Sequence, residues 1–264
     1  MTKTNLINSS SYGILEKVVE EINGEKYLFK GVTEILNGER LYPGISEVIV
    51  SDICELFNID CVRYDLVTRN NDLYTKCKWF YDSNVESYIS ASNYLKSIRL
   101  GDKRLAFDEI CSLNTSISNS INEMIFIDYL INNTDRHFKN FGFVIDEGNN
   151  MRLAPLFDNG FSLLADLDDN YLKSEVLEDI LLDCDYSKSF LSSNRDVFLT
   201  LHRHSDKIKD RLLAVKVEDL LKIVDKHSDT LSEIRIKYIK LLLEERYESI
   251  KRVYRIWFTH SLFF

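Results

Sequence analysis

The sequence predicts an α+β protein in two lobes, a small antiparallel β lobe first and a mainly α-helical lobe after it. Three observations predict this. β-type runs separated by turn dipeptides fill the first third of the chain, helical periodicity dominates after about residue 85, and a hairpin interrupts the helical part. The composition agrees. With 264 residues, 45% hydrophobic, 12% aromatic and 28% charged, the chain can build one large domain or two small lobes around a substantial core, and it is neither disordered nor fibrous. Two prolines and nine glycines are few for an all-β protein with many tight turns.

The elements follow in order. Ile14–Ile22 and Lys26–Lys30 are strand-like runs on either side of Asn23-Gly24, a dipeptide that supplies the positive φ angles of a tight hairpin. Ser46 opens a helical pattern carried by Val48, Ile49, Ile53, Leu56 and Phe57. Cys61–Thr68 and Leu73–Trp79 return to strand character around Asn70-Asn71-Asp72. A small antiparallel sheet with one helix against it is the expected assembly of residues 1–84. Residues 85–264 are read as the helical lobe. Within it, Asn119–Asn132 is apolar on nearly all sides and is expected to be a buried central helix. Phe141–Asp146 and Met151–Phe157 form an isolated hairpin over residues 141–157, joined by Glu147-Gly-Asn-Asn. Leu172–Tyr254 is helical almost throughout and ends in a long amphipathic stretch from Ser232 to about Arg255.

Charge and cysteine usage narrow the class. The net charge of −9 argues against a broad surface for nucleic-acid backbone, so no direct nucleic-acid binding is expected. The charge is uneven. Between Ala165 and Asp185, eight acids (Asp166, Asp168, Asp169, Glu175, Glu178, Asp179, Asp183, Asp185) stand against Lys173, a run of −7 that leaves −2 elsewhere. Such a run reads first as solvated surface, and otherwise as a surface that selects a partner. Five cysteines (Cys54, Cys61, Cys77, Cys111, Cys184) without CxxC spacing point to reduced thiols in a cytoplasmic protein. Met1–Asn8 has no signal-peptide character, and no window approaches about 18 uninterrupted apolar residues, so no membrane partner is expected. The apolar end, Ile256–Phe264, is expected to dock onto its own domain.

The chemistry gathers around the hairpin. Before it stands Asn132-Asn-Thr-Asp135-Arg-His-Phe-Lys-Asn140, and after it Leu153-Ala-Pro-Leu-Phe-Asp158-Asn-Gly160. Asp135 and Asn140 have the Asp-x4-Asn spacing of a kinase catalytic loop, and Asp158 falls one hairpin later, where a kinase places a metal-binding Asp. Phosphoryl transfer needs a carboxylate to accept a hydroxyl proton and hard oxygen ligands to hold Mg²⁺ against the phosphates. Lys30 ends the strand Tyr27-Leu28-Phe29, as expected of a phosphate-contacting lysine, and Glu47 near the start of the next helix can pair with it. Asn8-Ser9-Ser10-Ser11-Tyr12-Gly13 is a run of small residues that can cradle phosphates through backbone N–H groups. Each piece has a plainer explanation: a helix cap for Asp135, a core histidine for His137, a surface pair for Lys30 and Glu47, a frayed end for Ser9–Ser11. The ordered combination points to a kinase.

Asn133-Thr-Asp-Arg-His-Phe-Lys-Asn-Phe-Gly142 followed by Leu153-Ala-Pro-Leu-Phe-Asp158 resembles the HipA-like serine/threonine kinases of bacterial toxin–antitoxin systems, and the pattern extends over most of residues 10–250. The resemblance implies a two-lobed protein-kinase-like fold and an ATP- and Mg²⁺-dependent protein kinase acting on Ser or Thr hydroxyls. By position it implies Asp135 as catalytic base, Asn140 and Asp158 as Mg²⁺ ligands, Lys30 as the phosphate lysine and Glu47 as its helix partner. Arg136 and His137 would support the loop. The family's phosphate loop matches poorly, with Ser9, Ser10, Ser11 and Gly13 the candidates. The length leaves no room for the N-terminal subdomain of longer members, so a short, single-core member is expected. A helix-turn-helix antitoxin is the implied partner, and varied protein targets are the implied substrates. Two other readings stay open: a kinase for small molecules or inositol-lipid headgroups, and a pseudokinase acting by association.

Overall fold

The computed structural model describes residues 4–6, 17–36, 39–185, 188, 193–201 and 205–261. The leading sheet has five strands in the order β1-β2-β3-β7-β6, every neighbour antiparallel. They are β1 (Thr4–Leu6), β2 (Lys17–Ile22), β3 (Glu25–Gly31), β6 (Tyr64–Arg69) and β7 (Asp72–Lys78). The local sequence explains its hairpins. Asn23 and Gly24 have φ of 54° and 81°, and Asn70 and Asn71 have 51° and 69°, the left-handed pairs a two-residue hairpin turn requires. A two-stranded ribbon, β4 (Glu34–Leu36) and β5 (Glu39–Leu41), precedes the first helix.

That helix, α1, runs over Pro43–Leu56 and starts ahead of the Ser46 expected from the sequence, because Pro43 is pre-organised for a first helical turn where no N–H is needed. It is apolar on two faces. Val48 joins Val62, Tyr64 and Cys77 in a small core under the sheet, while Ile45, Ile49 and Ile53 belong to the large helical core. Burying each of these isoleucines is worth about 1.5–3 kcal/mol. α1 therefore packs against the helices as well as the sheet.

The helical part holds α2 (Ala91–Ser97), α3 (Lys103–Ser112), α4 (Thr115–Leu130), α5 (Asp169–Ser174), α6 (Leu177–Cys184), α7 (Asn194–Leu201), α8 (Asp206–Ala214), α9 (Val217–Asp225) and α10 (Glu233–Ser261). α4 is the buried central helix, capped by Asn114, whose side chain accepts from the Ile117 amide at 2.8 Å. α10 matches the long amphipathic stretch. Side chains from residue 255 onward, and with them the expected docking of the apolar end, lie outside the described residues. Cys54, Cys61, Cys77 and Cys111 are free thiols. No helix among the described residues is long and apolar enough to cross a membrane.

Two expectations need correction. The hairpin β9 (Gly142–Asp146) and β10 (Met151–Leu153) is not isolated: β8 (Glu86–Ser90) pairs with β9 and completes a three-stranded sheet, order β10-β9-β8. β8 is short and polar, so its strand character comes from a partner more than fifty residues away. The second hairpin strand also stops at Leu153 rather than Phe157. Pro155 cannot donate to a ladder, and Leu156 instead makes a lone parallel bridge to Cys61.

Candidate functional site

Lys30 lies one residue before the end of β3, on the strand face it shares with Leu28, which packs on the small core beside Val48 of α1. That face meets Glu47, and the two form a buried ion pair, with side chains 10% and 1% exposed. The Lys30 ammonium also reaches Asp158 Oδ1 at 3.4 Å. Burial pushes the ammonium down, but Glu47 and Asp158 outweigh it and hold Lys30 above its ordinary value, so it stays charged. Burial pushes Asp158 up, yet Lys30, Lys17 and Arg136 together draw its carboxyl below the ordinary value. Lys17, opposite Lys30 in the β2–β3 register, is a cation the sequence reading passed over.

The loop carrying Asp135 begins where α4 ends. Asn132 adopts φ 50°, the left-handed conformation that stops a helix and that Asn tolerates. Asn133 then folds back, its side chain donating to Asp128 Oδ1 at 3.0 Å and accepting the Asp135 amide at 3.0 Å. Asn140 Nδ2 donates to the Asp135 carbonyl at 3.0 Å, closing the loop on itself. Thr134 ties it to the chain beyond Asp158, its amide donating to the Phe161 carbonyl at 2.9 Å and its hydroxyl to Asp166 Oδ2 at 3.1 Å. The Asp135 carboxylate accepts from Lys188.

Arg136 joins the two arms. Its guanidinium is 1% exposed and its N–H groups reach Asp128 through Nε and Nη2 at 2.9 Å, the Asn140 carbonyl at 2.9 Å, the Phe157 carbonyl at 3.0 Å and Asn159 Oδ1 at 2.5 Å. One planar fork thus fixes the end of α4, the end of the Asp135 loop and both residues flanking Asp158. Asp158 itself sits at φ 57°, a conformation that costs a non-glycine residue about 1–3 kcal/mol and persists only where its surroundings impose it. Ser46 adds a tie to α1, donating to the Ser162 carbonyl at 2.9 Å one residue before Glu47. On the other side Phe157 stacks on Phe80, ring centroids 5.3 Å apart.

The structure therefore brings Lys30, Glu47 and Asp158 into contact, and links Asp135 and Asn140 to Asp158 through Arg136. Ser9, Ser10, Ser11 and Gly13 lie outside the described residues. Among the described residues, no cluster of three or more His, Cys, Asp or Glu is placed to hold a metal on its own. The donor set suits a different kind of cation site. Asp158, 43% exposed at its side chain, and the Asn140 amide are hard oxygen donors, and Mg²⁺ commonly takes one or two such protein ligands and completes its shell with phosphates and water. His137 is half-buried, and its Nδ1 has no hydrogen-bond partner among the described residues.

Sequence reasoning missed Asp128, Asn159, Lys17 and Lys188. Of these four a signal existed for Asp128 alone, a carboxylate in a largely apolar helix. The acidic run is also not one surface: Asp168 caps α5, Asp169 pairs with buried Arg235 at 2.8 Å, and Asp185 lies 3.5 Å from Arg246.

The profile of the HipA-like C-terminal domain matches residues 3–233. Among solved structures, the fold is similar to the Helicobacter pylori proinflammatory kinase CtkA, at TM-score 0.68 and 22% identity, covering 87% of this chain and 89% of that one. It is also similar to Shewanella oneidensis HipA, solved with HipB and operator DNA, at TM-score 0.53 and 14% identity, covering 91% of this chain and 65% of that one. Among proteins with curated descriptions, none matches.

Proposed function

Because the chain belongs to the HipA-like C-terminal domain family, we propose that it is an ATP- and Mg²⁺-dependent protein serine/threonine kinase. The observation that carries this reading is the Lys30 ammonium held between Glu47 and Asp158, with Arg136 binding the Asp135 loop and the Asp158 segment into one unit. Bound Mg²⁺-ATP would supply the phosphoryl group and the cation that offsets its charge. Lys30 contacts the phosphates and Glu47 keeps it aimed. Asp158 and Asn140 present oxygens to the cation. Asp135 accepts the proton of the acceptor hydroxyl as its oxygen attacks the γ-phosphorus and the bond to ADP breaks. The cleft is read between residues 1–84 and 85–264; the phosphate-loop candidates Ser9, Ser10, Ser11 and Gly13 lie outside the described residues.

The likeness to HipA, solved as part of a toxin–antitoxin system with HipB and operator DNA, supports a toxin role beside an antitoxin; that the antitoxin is a helix-turn-helix protein making the DNA contact, and that the pair is cytoplasmic, is part of the proposal. Protein incubated with Mg²⁺-ATP should label itself or a lysate protein, and the label should vanish in Asp135→Asn and Asp158→Asn. Labelling that survives either change would defeat the assignment. ATP binding by calorimetry without any transfer would instead favour the pseudokinase reading, and transfer to inositol-lipid vesicles the small-molecule one.

A further inference from the structure

Resting on a nucleotide held at Lys30 and Asp158, we propose that Tyr88 is a further nucleotide-binding residue, its hydroxyl donating to the base-and-ribose half of the ligand. Tyr88 pairs with Val144 across β8 and β9, so its side chain shares a face of that sheet with Gly142, two residues back along β9. Gly142 in turn follows Asn140 by two residues. Its missing side chain leaves room that the phenol takes up, since a Cβ there would lie 2.8 Å from the Tyr88 hydroxyl. The Tyr88 ring meets Phe157, the residue before Asp158, edge to face with centroids 6.1 Å apart. Phe80, from the stretch joining β7 to β8, stands edge to face on it at 5.4 Å. The phenol is thus packed between near neighbours in sequence of Asn140 and of Asp158.

That hydroxyl is buried and has no hydrogen-bond partner among the described residues. A buried Tyr O–H usually finds a partner, and leaving one unpaired forfeits its hydration without return. It is a donor throughout the physiological range, because burial and the charge of Asp158 push the phenol up to about 12. Its surroundings decide which half of the ligand it meets. Phosphates belong with the Lys30 ammonium. Phe80 and Phe157 are stacked at 5.3 Å, and Tyr81 is stacked on Tyr88 at 6.2 Å. This aromatic group offers a base apolar faces to lie against and offers a phosphate no cation. A base nitrogen or a ribose oxygen brought to that group answers the unpaired O–H. No bond inside the protein is given up for it, so the gain falls on binding.

The test measures Mg²⁺-ATP binding to the full chain by calorimetry for wild type and Tyr88→Phe, together with thermal melts of both proteins free of ligand. An ordinary hydrogen bond is worth about two- to tenfold in affinity, so the Kd for Mg²⁺-ATP should rise by that factor. Adenosine, read by displacement of a fluorescent ATP analogue, should lose the same factor. The free variant should melt no lower than wild type, since the hydroxyl it lacks bonds nothing in the fold. An unchanged Kd would overturn the proposal. So would a lower melting midpoint of the free variant, which would reveal a partner within the protein. A loss for ATP that adenosine does not share would place the donor at the phosphates and overturn it as well. Failure of the kinase reading looks different: wild type then binds nucleotide without transferring phosphate, and the ratio of the two Kd values still judges Tyr88. A wild type that binds no nucleotide overturns both.

Discussion

Replacing Arg136 by Ala removes the donor that four acceptor groups share. Asp128, 9% exposed at its side chain, would keep the Asn133 amide and lose its cation, and the Asn140 and Phe157 carbonyls would lose a buried donor. Breaking a buried ion pair from one side costs about 3–5 kcal/mol, because a charge is left without compensation. Domains of this kind have a total stability of about 5–15 kcal/mol. At about 2–4 °C per kcal/mol for a chain of this size, the midpoint of thermal unfolding should fall by roughly 6–20 °C. Far-UV circular dichroism melts and urea titrations measure it, and a loss under about 1 kcal/mol would refute the clamp. A second variant separates the clamp's effect on stability from its effect on geometry. Asp128→Leu with Arg136→Met removes both charges and replaces them with apolar bulk, a change that is often neutral for buried pairs. Stability should recover substantially. Mg²⁺-dependent nucleotide binding should not, since nothing then sets Asn140 and Phe157 against each other. If nucleotide binding returns together with stability, Arg136 serves the fold alone.

Three other outcomes follow from the same geometry. Lys30→Ala leaves the Glu47 carboxylate, 1% exposed, without its cation, so the variant should lose more stability at pH 8 than at pH 5, where Glu47 can take up a proton; a loss independent of pH in urea melts would contradict the buried pair. Asp158 is held below its ordinary value of 3.8, so its contribution is complete above that value and is lost as pH falls through the lower folded value. The stability gap between wild type and Asp158→Asn should therefore be flat from about pH 5 upward and close below about pH 4, and a gap that widens in acid would reverse the sign. A Cβ at Gly142 would lie 2.3 Å from the Ile89 carbonyl and 2.7 Å from Ser90 Cα, so Gly142→Ala should cost about 1–3 kcal/mol or more by prying β8 from β9, and a wild-type melting temperature would rule out that packing.

The elements legible in the sequence are those whose cause is local. Asn23-Gly24 and Asn70-Asn71 dictate their turns by their own φ preferences, and apolar residues on nearly all sides of α4, Met124 and Ile127 among them, dictate its burial. The Asp135–Asn140 loop was legible for a similar reason, since its closing bonds run between residues a few positions apart. β8 was not, because Glu86–Ser90 is a strand only against Gly142–Asp146. The meeting of Lys30 with Glu47 was expected from strand and helix order. Its meeting with Asp158, 128 residues away, required the folded chain.

Buried polar groups mark the border between what a sequence can reveal and what it cannot. A carboxylate on an apolar helix demands a partner, because an unpaired buried charge costs several kcal/mol. Asp128 and Glu123 both sit on α4 and both raise that demand. For Asp128 the answer lies eight residues on, at Arg136, within the loop the helix feeds. A reader weighing that demand would have given Arg136 a structural anchor beyond its place in the motif. For Glu123 the answers are Lys207 and Arg211, more than eighty residues away on α8, and no pattern within the chain singles them out from its other cations. The rule identifies which residues must be paired. Which residue pairs with them is decided by how helices pack, and that information is spread over the core. The acidic run after Asp158 shows the converse. Its charge drew attention as one feature, yet Asp166, Asp168, Asp169 and Asp185 each meet a different local need, so reversing charge at Asp168 or Asp169 would unsettle α5 and the Arg235 anchor before it altered any choice of substrate.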